Sequence, residues 1–116
     1  MLIYKIASVD DWATARAAGE FRGSAVDLAD GFIHFSTAEQ VVETAARHFV
    51  GQHGLVLLAI DTDRLGDHLR WEAAPKRGGL FPHLYASLPV SAVVAEVELP
   101  DDVPVDQAVA QALAAS

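Results

Sequence analysis

Three groups of polar side chains stand inside otherwise apolar stretches. They are His34 with Ser36 and Thr37 in Phe32-Ile33-His34-Phe35-Ser36-Thr37, Glu72 in Leu69-Arg70-Trp71-Glu72-Ala73, and His83 with Tyr85 in Phe81-Pro82-His83-Leu84-Tyr85. Polar groups in such settings cost free energy unless they are paired or put to use. An imidazole there can move protons, and a carboxylate can activate a nucleophile or stabilise a cationic transition state. Each also has a structural reading. His34 can be a neutral ring satisfied by backbone, and Glu72 an exposed carboxylate beside Arg70 or near Lys76. Ser36 or Thr37 can cap the helix that follows, whose N-terminus would offer free N–H groups to an anion. His83 and Tyr85 are two residues apart and share a side of an extended segment. His48 and His53, at a helix end, and His68, in a polar turn, are assigned no role.

The sequence holds no Gly-rich dinucleotide turn, no phosphate loop ending in Gly-Lys-Ser/Thr and no His-Glu-x-x-His helix, so nucleotide or metal binding through those motifs is excluded. There is no cysteine, which removes disulfides, thiol nucleophiles and thiolate zinc sites. His34, His83 and Glu72 on converging strands are the one arrangement that could hold zinc. Their spacing offers no local ligand pair, and no metal is expected.

The elements that must position these residues follow from periodicity and punctuation. Leu2–Ile6 reads as a strand, and Ser8 with Asp11 opens a helix over about Val9–Ala18 that turns Trp12 and Ala15 inward and ends at Gly19. Phe21–Asp30 reads as a surface loop. Phe32–Phe35 is a strand with Phe32, His34 and Ser36 on one side, covered on both faces. Ser36-Thr37-Ala38-Glu39 has the form of a capping box, opening a helix with Val41, Ala45, His48 and Phe49 on one stripe. Leu55–Ile60 is a continuous apolar run suited to a central strand, and Asp61-Thr62-Asp63 leads into a helical turn around Arg64-Leu65. Leu69–Ala73 alternates as a strand, and Pro75–Gly79 is a loop. Ala92–Leu99 is a half-exposed strand with Val93, Ala95, Val97 and Leu99 inward and Glu96 and Glu98 outward.

Without the regular spacing of a doubly wound sheet, these elements predict an α+β fold. It is a single compact domain over 1–99 with a bent mixed or antiparallel sheet and flanking helices. Residues 100–116 form an acidic, Ala-rich C-terminal tail with a short weak helix. A chain of 116 residues suits one domain. Its formal charge of −8 disfavours polymeric nucleic acid and polybasic membrane attachment, and the absence of a signal-like N-terminus or a span-length apolar run predicts a cytoplasmic protein. Between Leu69 and Ala95, however, Glu72 is the only acid against Arg70, Lys76 and Arg77, a local balance suited to a small anionic ligand.

The blocks Asp30–Gln40, Leu58–Asp61, Leu69–Glu72 and Phe81–Tyr85 resemble the bacterial family of domain of unknown function 952, over about Leu2–Leu99. That resemblance implies a fold similar to the ADP-ribosyltransferases and a cleft for NAD or an ADP-ribosyl or phosphorylated small nucleotide. It implies catalytic roles for His34 and Glu72, the latter as the carboxylate that holds the nicotinamide ribose and offsets a cationic transition state. It implies ligand contacts by Lys5, Ser36, Thr37, His83 and Tyr85. Lys5 stands where members of the family often have a ribose-gripping His. Transfer of the ADP-ribosyl group is one expectation. A non-catalytic module for a small ligand or protein partner on the same fold is the other.

Overall fold

The computed structural model describes residues 1–115. In chain order the elements are β1 (Leu2–Ser8), α1 (Val9–Ala18), β2 (Glu20–Phe21), α2 (Ala25–Asp30), β3 (Ile33–His34), α3 (Val41–His48), β4 (Leu55–Asp61), β5 (Leu69–Ala73), β6 (Leu80–Leu84), β7 (Leu88–Pro89), β8 (Val93–Glu98) and α4 (Val105–Ala114). The strands form a sheet ordered β1-β4-β8, a second ordered β3-β6-β5 and a short β2-β7 pair, all with antiparallel neighbours. This is the α+β architecture expected, with antiparallel pairing throughout the described residues.

β4 is buried along Leu55–Ile60 because the central sheet is covered on both faces. On one face Ile3, Val56, Leu58 and Ile60 pack with Trp12, Ala15, Ile33 and Leu84. On the other, Ile6, Leu55 and Leu57 pack with Val41 and Ala45 of α3 and with Val105, Ala108 and Val109 of α4. The stretch beyond Pro100, expected as an appended tail, thus supplies a helix that helps close the second core. β1 is also tied to the small sheet, since the Tyr4 and Ser36 backbones exchange N–H···O bonds of 2.7 and 2.9 Å. β8 is left as the open edge.

Several expectations are corrected. Phe21–Asp30 is not a surface loop: Phe21 is buried in β2, and Ala25–Asp30 is α2, entered through a capping box. Ser24 Oγ accepts from the Asp27 N–H at 3.3 Å, and Asp27 Oδ2 accepts from the Ser24 N–H at 2.9 Å. Conversely, Ser36–Glu39 does not cap a helix. Ser36 is claimed by pairing to Tyr4, Gln40 Oε1 accepts the Thr37 N–H at 3.0 Å, and α3 begins at Val41. Val41 and Ala45 are buried as expected, but His48 is exposed. Along β8, Val97 is 42% exposed instead of inward, and Glu96 does not simply face solvent. It accepts from Trp12 Nε1 at 2.8 Å and from Arg16 Nη1 at 3.0 Å, because the β4–β8 register shifts between Ala59 and Ile60.

Candidate functional site

In the small sheet His34 lies opposite His83, and His83 opposite Arg70, while the neighbouring row Ile33, Leu84 and Leu69 packs into the first core. Alternation therefore turns His34, His83, Arg70 and Glu72 to the face away from that core, with Phe81 and Tyr85 in step with His83. Phe32 lies over this face, its ring 4.2 Å from His83, 4.6 Å from His34 and 5.1 Å from Tyr85, between centroids. Glu72 Oε1 accepts from the Tyr85 hydroxyl at 2.7 Å and lies 2.9 Å from His83 Nδ1.

These contacts set the charges. The Tyr85 and His83 hydrogen bonds hold the Glu72 carboxyl below its usual range, and the same bond to Glu72 pushes the Tyr85 phenol up. With Glu72 ionised, the proton it shares with His83 sits on Nδ1. His34 is held from both ends: Nδ1 is 2.6 Å from Asp27 Oδ1 and Nε2 is 2.9 Å from Asp30 Oδ2. Asp27 in turn takes the His34 N–H on Oδ1 at 3.1 Å and the Lys5 ammonium on Oδ2 at 3.0 Å. Burial alone would raise Asp27, but the His34 bond, the Lys5 charge and the Ser24 and His34 backbone N–H groups outweigh it and keep the carboxyl far below the usual range. Burial lowers Lys5, against the pull of Asp27.

A cavity of about 350 Å³ opens beside this cluster. Phe32 and Tyr85 line it together with Arg22, Asp27, Leu28 and Ser87. The structure thus gathers His34, Glu72, His83 and Tyr85, four of the seven residues expected at the site. The other three lie elsewhere. Lys5 is 7% exposed, with its ammonium on Asp27 and the His34 carbonyl, beneath the site and not in the cleft. Ser36 is buried, with Oγ 2.8 Å from Thr44 Oγ1, and Thr37 opens the turn before α3. Asp27, Asp30, Phe32 and Arg22 complete the surroundings. The Ser24-x-x-Asp27 capping pattern could have revealed α2, though not the carboxylate's second role at His34. For zinc at His34, His83 and Glu72 the arrangement is unsuitable, since His34 spends both nitrogens on carboxylates. Among the described residues no group of three His, Asp or Glu side chains is placed so that it could hold a metal ion. No described helix is long and apolar enough to cross a membrane.

Fold and site define a small α+β protein with a ligand-sized cleft beside a His–carboxylate–aromatic cluster. Residues 6–96 match the family described as Protein of unknown function (DUF952), and the chain belongs to that family. No protein with a curated description matches it. Among solved structures, the crystal structure of protein CC0527 from Caulobacter crescentus is similar at 55% identity and a TM-score of 0.83, covering 90% of this chain and 93% of that one. The solution structure of CC0527 gives 54% identity and a TM-score of 0.77, covering 90% of each chain.

Proposed function

We propose that the cleft binds NAD or an ADP-ribosyl or related phosphorylated nucleotide, on an ADP-ribosyltransferase-like fold, with the reacting end of the ligand at Glu72. The observation that carries this reading is the cavity whose wall residues Phe32 and Tyr85 are also the partners of His83 and Glu72. Aromatic faces suit a flat heterocycle, and the Arg22 guanidinium at the cavity suits an anionic group. About 350 Å³ is at the lower end of ligand pockets, room for one nucleotide half. Bound NAD would supply a transferable ADP-ribosyl group. Glu72, kept ionised by its two donors, would place a fixed negative charge against cationic character developing at the ribose. Tyr85 and His83 hold that carboxylate in one orientation, and His83 Nε2 can take a proton from an acceptor hydroxyl or amine. Asp27 and Asp30 hold the His34 ring from both sides, beside the cavity that Asp27 lines.

A non-catalytic module is the second reading, and one observation favours it. Lys5, at the position the resemblance assigns to gripping ribose, is withdrawn beneath the cleft onto Asp27. Titration calorimetry with NAD and ADP-ribose tests both readings, and heat is expected from at least one of them. Absence of heat from both would sink the nucleotide assignment. Glu72→Gln should keep binding while nicotinamide release falls by about 10²-fold or more, the scale of losing a transition-state charge contact. Binding with no nicotinamide release even by the wild type would instead establish the non-catalytic module.

A further inference from the structure

Arg77, in the turn between β5 and β6, is the buried charge that the cluster leaves unexplained. Its side chain is 9% exposed and its guanidinium lies 4.3 Å from the Phe81 ring centroid. Nη1 donates to Thr44 Oγ1 at 3.0 Å, and Thr44 in turn meets Ser36 Oγ. Nε and Nη2 are shut from solvent with no hydrogen-bond partner. Glu43 Oε2 is 3.5 Å from Nη2, a long ion pair that, after the stronger bond and charge of Arg47, helps hold the Glu43 carboxyl below its usual range. Buried donors left unmade are costly, and a guanidinium in particular is normally satisfied.

These two nitrogens form a single edge. Nε–H and the adjacent Nη2–H point the same way, the fork that takes two oxygens of one phosphate or carboxylate. Glu43 already gives Oε1 to Arg47 Nε at 2.8 Å, so an incoming anion needs to displace only its longer contact. Two guanidinium groups, those of Arg47 and Arg77, thus share the single Glu43 carboxylate.

We propose that the Nε–Nη2 edge of Arg77 is a phosphate subsite, anchoring the far end of a dinucleotide-sized ligand whose aromatic end lies against Phe32 and Tyr85. The proposal rests on the nucleotide reading of the cleft and extends it. Phe81, His83 and Tyr85 lie in step along one face, so Arg77 on Phe81 continues the row that begins at the cavity. Phe81 and Tyr85 are four extended-chain steps apart, roughly 13 Å, more than one nucleotide half spans and within reach of a pyrophosphate-linked pair. Because the edge is closed to solvent, binding requires the turn to open. Gly78, with open space where a side chain would stand, and Gly79, at φ 80°, give it the freedom to do so.

The test is calorimetry of the wild type, Arg77→Gln and Arg77→Lys with inorganic pyrophosphate and with ADP-ribose. In parallel, the Arg77 Nε–H resonance is followed in the unmutated protein, so that a variant that fails to fold cannot obscure the result. Expected are a shift of that resonance with pyrophosphate and at least a tenfold weaker affinity for both ligands in Arg77→Gln. The lysine variant should recover only part of it, since it keeps the charge and loses the fork. An unmoved resonance, or ADP-ribose affinity unchanged in Arg77→Gln, would overturn the subsite. Pyrophosphate bound through Arg77 without any binding of ADP-ribose would leave the subsite standing and remove its connection to the nucleotide cleft.

Discussion

Lys5, Asp27 and His34 form the most consequential set of single residues, because they carry charge from inside the first core to the wall of the cleft. Asp27 takes four donors, two on each oxygen, and lies beneath His34 with 2% of its side chain exposed. Removing the carboxylate charge leaves the Lys5 ammonium buried without its partner, so Asp27→Asn should cost about 3–5 kcal/mol, read from urea midpoints. The pH dependence has a definite sign. Folding depresses Asp27 below its ordinary 3.8, so its contribution is present above that value and is lost as the pH falls below it. Stability of the wild type should therefore decline below about pH 4, and the slope should flatten in Asp27→Asn. At this scale His34, Glu72, His83 and Tyr85 are legible from the sequence because each interrupts an apolar stretch. Asp27 is not, since its donors come from β1 and β3, and nothing local distinguishes it from an ordinary capping acid.

At the scale of elements, local signals are reliable where no distant partner competes. β4 is evident from six consecutive apolar residues, and α1 from Ser8, whose Oγ accepts the Asp11 N–H at 3.0 Å, with Gly19 at its end. The Ser36–Glu39 pattern misleads because pairing with Tyr4 outcompetes the cap, and α2 goes unnoticed because six residues are too few to show a period. α4 is weak in isolation and acquires its stability from packing, as Val105, Ala108 and Val109 close over Val41, Ala45 and Leu57. Burial of a valine side chain is worth about 1.5–3 kcal/mol. Deleting the residues after Leu99 should thus remove about 3 kcal/mol or more and expose an apolar face. A lower thermal midpoint with increased dye binding would show it, and an unchanged midpoint would mean that α4 contributes nothing to the fold.

For the whole molecule, the α+β class and the antiparallel pairing are readable from the order and length of the elements. The edge-to-edge joining of two sheets through Tyr4 and Ser36 is not, because a backbone bridge leaves no mark on residue type. The central sheet consequently has one edge guarded by the chain itself and one open, at β8. Val94 and Val97 are exposed there, 45% and 42%, in the stretch Val93-Val94-Ala95-Glu96-Val97-Glu98. A strand of that composition is a template for pairing with another molecule, and acids on it act as a deterrent. Glu96 is partly neutralised by Arg16, which leaves Glu98 as the guard. Glu98→Val should leave the thermal midpoint nearly unchanged yet make light scattering at neutral pH rise with concentration. A variant that scatters no more than the wild type would show that the twist of the edge is protection enough. If scattering rises as expected, the self-repulsion of this acidic protein acts at a specific place: one carboxylate on one strand would keep neighbouring molecules from continuing its central sheet.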